Sequence, residues 1–323
     1  MTTTLDALID PDLDDLISSV VSAHTCSDDL NLWHQLMELG LADLTGSAAR
    51  NGSEASWHEA AALVRALAAH GCSLDVGQSD LVAGWLLDRA GITGPPALRV
   101  VDGLTDASPG PGHAPAMQPQ RIVLVRRRES GWALTDALPT EFADPTRLVW
   151  RDLDEEAMAQ ARLRLALVRA VQITAALDTI TALAIDHAQT REQFGRPIGA
   201  RQAVQHMVSH IAAESALAKA ATDAAILVAA TPTVTASQLA PVVAVARSCT
   251  GHAVDPVVRQ AHQVIGAIGT TREHRLHIFT TMALSLRNQQ GTTRDWDQEV
   301  LTLATRGAAL SDLTLNPSTV VNP

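Results

Sequence analysis

The sequence predicts a mostly helical protein with a small central β domain. Three observations carry that prediction. Apolar residues recur at three-and-four spacing through residues 1–94 and again from about 153 onward. Between them, over 95–152, the apolar runs shorten and become partly β-branched, separated by Pro-Gly turn chemistry. With 323 residues and 46% hydrophobic content, the chain has about the length of two domains and enough apolar mass for sizeable cores. The expected organisation is an N-terminal helical domain (1–94), a reduced β domain (95–152), a C-terminal helical bundle (153–310) and a flexible tail (311–323).

In the first region Leu13, Leu16, Ile17 and Val20 share one helical face, and Trp33, Leu36, Met37 and Leu41 another. A third helix carries Trp57, Ala60, Ala61, Val64 and Leu67, preceded by the turn Asn51-Gly52-Ser53-Glu54. A fourth carries Leu81, Val82, Trp85 and Leu86, and Gly40, Gly71 and Gly91 stand where C-caps are expected.

In the second region the strand candidates are Ala97 to Val101, Arg121 to Val125, Trp132 to Thr135 and Arg147 to Trp150. The stretch Ser108–Pro115 is Pro-Gly loop that neither strand nor helix can contain. Arg126-Arg127-Arg128-Glu129-Ser130-Gly131 reads as a charged hairpin turn with a solvated arginine triplet.

From 153 the pattern is helical again. Leu163, Leu167, Ala170, Thr174 and Leu177 mark a long helix reaching about Asp186, and Val204, Met207, Val208 and Ile211 open another that runs to Ala230. Thr231-Pro232-Thr233 breaks the chain, and two further helical stretches flank Gly266–Gly269. Helices this apolar around their circumference predict a bundle that also packs against another subunit.

Composition excludes several functions. The net charge of −11, with Lys219 the only lysine, argues against nucleic acid or an anionic membrane as a partner. Three scattered cysteines, Cys26, Cys72 and Cys249, offer neither a disulfide framework nor a thiolate zinc site. No charge-free apolar run reaches the roughly 18 residues of a membrane span, and the acidic start lacks a secretory pattern. The expected location is the cytoplasm.

Most local motifs are weak. His206 and His210 stand one helical turn apart with no third ligand, so no metal is expected. Glu273-His274-Arg275-Leu276-His277 has the wrong order for a zincin helix. The informative segment is Thr190–His206, where a helix ends, a glycine-punctuated turn follows and another helix begins. It presents Arg191, Phe194 and Gln202 at fixed offsets. An arginine fork suits pyrophosphate oxygens, and a phenyl face can hold a purine. The same residues could instead form a plain connector, with Phe194 plugged into the core and Arg191 paired to an acid.

The segment resembles the C-terminal helical domain of the acyl-CoA dehydrogenase family, whose Arg-x-x-Phe-Gly turn and following Gln bind the adenosine and pyrophosphate of FAD held mainly by the adjacent subunit. Gln263-Val-Ile-Gly266-Ala267-Ile-Gly269 is similar to the family's Gln-x-x-Gly-Gly-x-Gly stretch, whose backbone approaches the same cofactor. Trp33–Leu41 resembles the family's second helix, and the layout of helices, β domain and four-helix bundle is similar throughout. The resemblance thus implies an acyl-CoA dehydrogenase-like fold, with Arg191, Phe194, Gln202, Gln263, Gly266, Ala267 and Thr292 on the cofactor side.

It also exposes departures. Counting from Gly269, the family's catalytic Glu-Gly-Thr lands on Gln290-Gly291-Thr292, and a glutamine amide is no base near neutrality. The base position of a second subgroup falls near Leu165, between Arg164 and Ala166. The family's flavin-ring cradle, with its Thr-Glu-Pro-x-x-Gly-Ser-Asp stretch and Trp-bearing strand, has no counterpart over 95–152. The chain is therefore similar to short, non-catalytic subunits of actinobacterial α2β2 acyl-CoA dehydrogenases. The resemblance implies FAD shared with a longer subunit, an acyl-CoA substrate with steroid side chains as a candidate acyl group, and an electron-transfer flavoprotein as acceptor. Gln290 would be a vestigial base position. Two other readings stay open: a self-sufficient homo-oligomeric flavoenzyme with an unidentified base, and a flavin-free helical scaffold.

Overall fold

The computed structural model describes residues 8–24, 28–94, 96–104, 118–129, 131–144, 146 and 148–305. The Ser108–Pro115 loop and the 311–323 tail lie outside them. The described residues form two compact units, one running through Val168 and including Ile226–Ala240, the other made of Arg169–Ala225 and the chain from Pro241 onward.

The first unit begins with α1 (Pro11–Ser22), where Pro11 occupies the first turn and the Asp10 carboxylate accepts from the Asp12 N–H. Helix α2 (Asp29–Glu38) and α3 (Trp57–His70) follow, the latter opened by a Ser56–Glu59 capping box. Ile17, Val21, Leu32, Trp33, Leu36, Leu41, Leu63 and Leu67 form one core with Leu13, Leu16 and Val20 partly buried against it, as the three-and-four spacing requires. The fourth predicted helix is less regular than expected. It consists of α4 (Val76–Gln78), a π-helical turn (Ser79–Gly84) and α5 (Trp85–Arg89).

The sheet has the order β1 (Arg99–Asp102), β2 (Arg121–Arg128), β3 (Gly131–Ala137), β4 (Arg151–Leu153). β1 and β2 are parallel, and the other neighbours antiparallel. Two expectations need correction. The last strand is Arg151–Leu153 rather than Arg147 to Trp150. Leu134 pairs with Arg151, and the Trp150 ring instead packs on the guanidinium groups of Arg126 and Arg128, 5.7 and 4.8 Å away. The arginine triplet belongs to strand β2, with Arg126 opposite Ala133, Arg127 opposite Trp132 and Arg128 opposite Gly131. Among the described residues of the tip, Glu129 is turn.

The long helices are α6 (Glu155–Thr190), α7 (Gln202–Ala229) and α8 (Ala236–Ile265), followed by α9 (Leu276–Arg287) and α10 (Thr293–Thr305). Helix α8 continues through Pro241 and Pro256. An 18-residue window of α6 has mean hydropathy 1.4, long and apolar enough by composition to cross a membrane; 61% of that window is buried inside the protein, as in a core helix. In the second unit, Ile173, Leu177 and Ile180 of α6 are buried, as are Ile211 and Ala218 of α7 and Val243, Val254 and Val257 of α8. Leu217, Leu284 and Leu301 are exposed, and α10 buries none of its residues.

Candidate functional site

Every residue the sequence places on the cofactor side lies in the second unit. Helix α6 stops at Thr190, and the chain turns back at once in a tight hairpin of β5 (Glu192–Gln193) and β6 (Arg196–Pro197). Its two turn residues, Phe194 and Gly195, have φ of 55° and 78°. A pair of left-handed residues is the backbone of a two-residue hairpin turn whose twist matches the strands. Glycine adopts it freely, whereas phenylalanine does so only against steric cost. The Phe194 side chain is 90% exposed, so it does not plug the core. The Arg201 guanidinium lies 5.0 Å from its ring centroid.

Arg191 closes this hairpin through its backbone, accepting from the Ile198 N–H at 2.8 Å and donating its own N–H to the His187 carbonyl. Its side chain is exposed at the C-terminal end of α6, where the macrodipole favours a cation. Gly199 fits tightly beneath the hairpin, since a Cβ there would sit 2.8 Å from the Ala188 carbonyl oxygen. Gln202 is the exposed first residue of α7.

The glycine stretch forms a 3-10 turn, Gly266–Thr270, at the end of α8. Gln263, Gly266 and Ala267 are exposed, and Gly269 is buried against Ile265 and Leu276. Gly266 is left-handed at φ 74°, and a Cβ added to it would meet nothing within 4 Å. Its backbone is open to close approach. The ring of His187, one turn before the hairpin, stands edge-on to His274, just past the glycine turn, with centroids 6.5 Å apart. Arg191, Phe194 and Gln202 are thereby gathered at the same end of the unit as Gln263, Gly266 and Ala267. Burial, then His274 and then Arg191, push the His187 pKa down, which leaves that ring neutral and the positive charge to the arginines.

Gln290 and Thr292 lie elsewhere. Arg247 of α8 donates to the carbonyls of Arg287 and Gln289 at 2.8 and 2.7 Å. Thr293 also lies against Gly251, fourteen residues from the end of α8, so the turn stands on the order of 20–25 Å along the helix axis from the glycine turn. Gln290 and Gly291 are both left-handed, at φ 63° and 104°. The Thr292 hydroxyl donates to Asp295 at 2.7 Å, and the Asp295 N–H returns to that hydroxyl, capping α10. A polar cleft of about 390 Å³ opens here, lined by His252, Asp255, Arg287, Thr292, Arg294 and Asp297. Within it Arg287 pairs with Asp255 and His252 with Asp297.

Residues 151–294 match the sequence profile described as acyl-CoA dehydrogenase, C-terminal domain. This stretch is thus similar to an acyl-CoA dehydrogenase C-terminal domain. Among curated relatives, the Mycobacterium tuberculosis acyl-CoA dehydrogenase FadE34 is 34% identical over 125 residues, 38% of this chain and 17% of that one. The acyl-CoA dehydrogenase IpdE2 of the same organism is 32% identical over 154 residues, 46% of this chain and 45% of its own. The chain thus spans under half the length of either. Whole-chain likeness comes from solved structures. One chain of the ChsE4–ChsE5 complex from M. tuberculosis superposes with a TM-score of 0.77 at 18% identity, covering 96% of this chain and 99% of that one. Glutaryl-CoA dehydrogenase from Mycobacterium smegmatis superposes with a TM-score of 0.75 at 16% identity, over 93% and 96%. The fold is that of the acyl-CoA dehydrogenases.

Within the acyl-CoA dehydrogenase fold, neither counted base position carries an acid. Leu165 and Ala166 are buried, and Arg164 is stacked on Trp85 and Trp57 at 4.2 and 5.6 Å, its pKa lowered to about 9 by burial. Strand β3 does bear a tryptophan, Trp132, but its indole N–H donates to Glu155 at 2.9 Å. Sequence reasoning missed Arg201 and Arg247. The first could have been found from its place seven residues after Phe194, at the start of a helix. The second has no local signal, since its partners are carbonyls forty residues away. His206 and His210 are exposed, and the nearest carboxylate recorded for either is Glu214, 3.6 Å from His210.

Proposed function

We propose that this chain is the flavin-completing subunit of a heteromeric acyl-CoA dehydrogenase, gripping the nucleotide end of an FAD whose ring is seated in a longer partner. The observation that carries the reading is Phe194: a phenyl group held left-handed at a hairpin tip with its ring in solvent adds nothing to the core and is shaped to receive a flat ligand. The residues present fit such a group. Phe194 is 90% exposed, and the space over Gly266 is open. The Arg191 fork suits the pyrophosphate, the ring of Phe194 the adenine, and the amides of Gln202 and Gln263 the polar edges between.

FAD, when bound, supplies the two-electron acceptor that α,β-dehydrogenation of an acyl-CoA requires. This chain's own residues bind and orient; they move no proton from the substrate, because Gln290 offers an amide where the reaction needs a base. The separation of roughly 20–25 Å between the Gln290 turn and the glycine turn supports a split assignment, with the nucleotide grip serving a cofactor of the neighbouring subunit. The partner would be a longer acyl-CoA dehydrogenase subunit in an α2β2 assembly, with a CoA thioester as substrate, steroid side chains as the candidate acyl group, and an electron-transfer flavoprotein taking the electrons. Loss of a charge-assisted contact to phosphate predicts that Arg191→Ala, in the co-expressed complex, retains FAD about tenfold to a hundredfold more weakly. Unchanged flavin retention in that variant would leave a flavin-free scaffold as the better account.

A further inference from the structure

The first unit contains a buried cluster of ionisable groups that the flavin reading does not use. Asp80 sits in the π-helical turn Ser79–Gly84 and is 3% exposed. Its carboxyl accepts from the Thr45 hydroxyl at 2.8 Å and from the Thr45 N–H at 3.2 Å. The carboxyl of Asp43 lies against the same turn, its Oδ1 3.2 Å from where a Cβ on Gly84 would stand, and its charge bears on Asp80. Two carboxyls brought this close out of water do not both ionise without a large cost, so the pair favours a proton on one of them.

The groups facing this pair come from every element around it. Asp43, which closes a 3-10 turn, accepts from Arg50 Nη2 at 2.5 Å, and Arg50 Nε donates to Asp88 of α5 at 3.0 Å. Arg99 of β1 bears on Asp43, while it is paired itself with Asp136. Arg164 of α6 bears on Asp80. Arg50 is thus shared between Asp43 and Asp88, and no cation donates a hydrogen bond to Asp80 among the described contacts. The turn that carries Asp80 is also a junction. The Ser79 hydroxyl donates to the Ala97 carbonyl at 3.2 Å and accepts from the Arg99 N–H at 3.0 Å, and Arg164 Nη1 reaches the Leu81 carbonyl at 3.4 Å.

We propose that Asp43 and Asp80 share one proton that acts as the pin of a pH-sensitive lock, holding the π turn in register with β1 and α6 and releasing it when the proton leaves. A π turn carries one residue more than an α turn and persists only where neighbouring contacts impose it. A second negative charge beside Asp80 removes one of those contacts and sets two buried like charges against each other. Burial, and after it the charge of Asp43, push the Asp80 pKa up to about 7; burial also raises that of Asp43, against the pull of Arg50. The folded pKa of Asp80 lies above the ordinary carboxyl value, so the contribution to stability is complete below about pH 4 and is lost as pH rises through about 7.

The test is infrared spectroscopy of the intact chain in heavy water, with hydrogen exchange over residues 76–89 on the same samples. A buried carboxylic acid C=O band should be present near pH 6, lost by about pH 8, and absent from Asp80→Asn, whose amide can donate to Asp43 in place of the shared proton. Exchange in 76–89, corrected for its intrinsic pH dependence, should accelerate over the same interval in the natural chain and stay level in Asp80→Asn. Should that variant not fold, Asp43→Asn and the natural chain's own band carry the test. No acid band in the natural chain near pH 6, or exchange that rises equally in the natural chain and the folded variant, overturns the proposal.

Discussion

Phe194 shows how a single side chain can work against its own backbone. Its φ of 55° suits asparagine or glycine, and a turn of Asn followed by Gly195 is the favoured sequence for this hairpin. Phe194→Asn should therefore stabilise the isolated chain by a few tenths to about 1 kcal/mol in urea unfolding while weakening flavin retention in the complex. A loss of stability would mean that the ring has a packing role. Arg247 makes the opposite case. Its Nη2 donates to two carbonyls in a site where burial lowers its pKa to about 9. Arg247→Ala should cost about 2–4 kcal/mol, read by the same method, through the two carbonyls it leaves unpaired. At this scale the proposed binding residues are marked by a motif that places them at fixed offsets. Arg247 was not legible, since its partners are carbonyls forty residues away; Arg201 lies outside the motif, although its partner Phe194 is only seven residues off.

Among the elements, helices were legible where one face is buried at three-and-four spacing, as in α1 with Leu13, Leu16 and Val20 and α3 with Trp57, Val64 and Leu67 ahead of the Gly71 cap. The hairpin β5–β6 was not, because four strand residues in a glycine-punctuated connector carry no alternation to read. The π turn was equally hidden, because the apolar spacing of Leu81, Val82 and Leu86 is that of an ordinary helix. The β4 shift came from Trp150, whose ring packs on Arg126 and Arg128 of β2 instead of pairing with β3. Thr292 tests an element on its own. Its side chain caps α10 from outside the cofactor end, so Thr292→Ala should lower stability by about 1 kcal/mol in thermal unfolding, and Thr292→Ser should restore it. An equal loss in both variants would assign the effect to the methyl group rather than the cap.

For the molecule as a whole, the layout of helices, sheet and helices was legible from the change of period at about 95 and about 153, and the fold comparison bears it out over 96% of the chain. What the sequence could not convey was distance: Thr292, read with the cofactor-side residues, stands with Gln290 far along α8 from the glycine turn. That separation makes the flavin content of the chain the most direct measurement of the central claim. The chain purified alone should be colourless, and the chain co-expressed with a longer acyl-CoA dehydrogenase homologue should carry a single FAD per heterodimer, measured by absorbance after denaturation. Stoichiometric FAD on the chain by itself, with turnover of an acyl-CoA in the presence of a dye acceptor, would contradict the account.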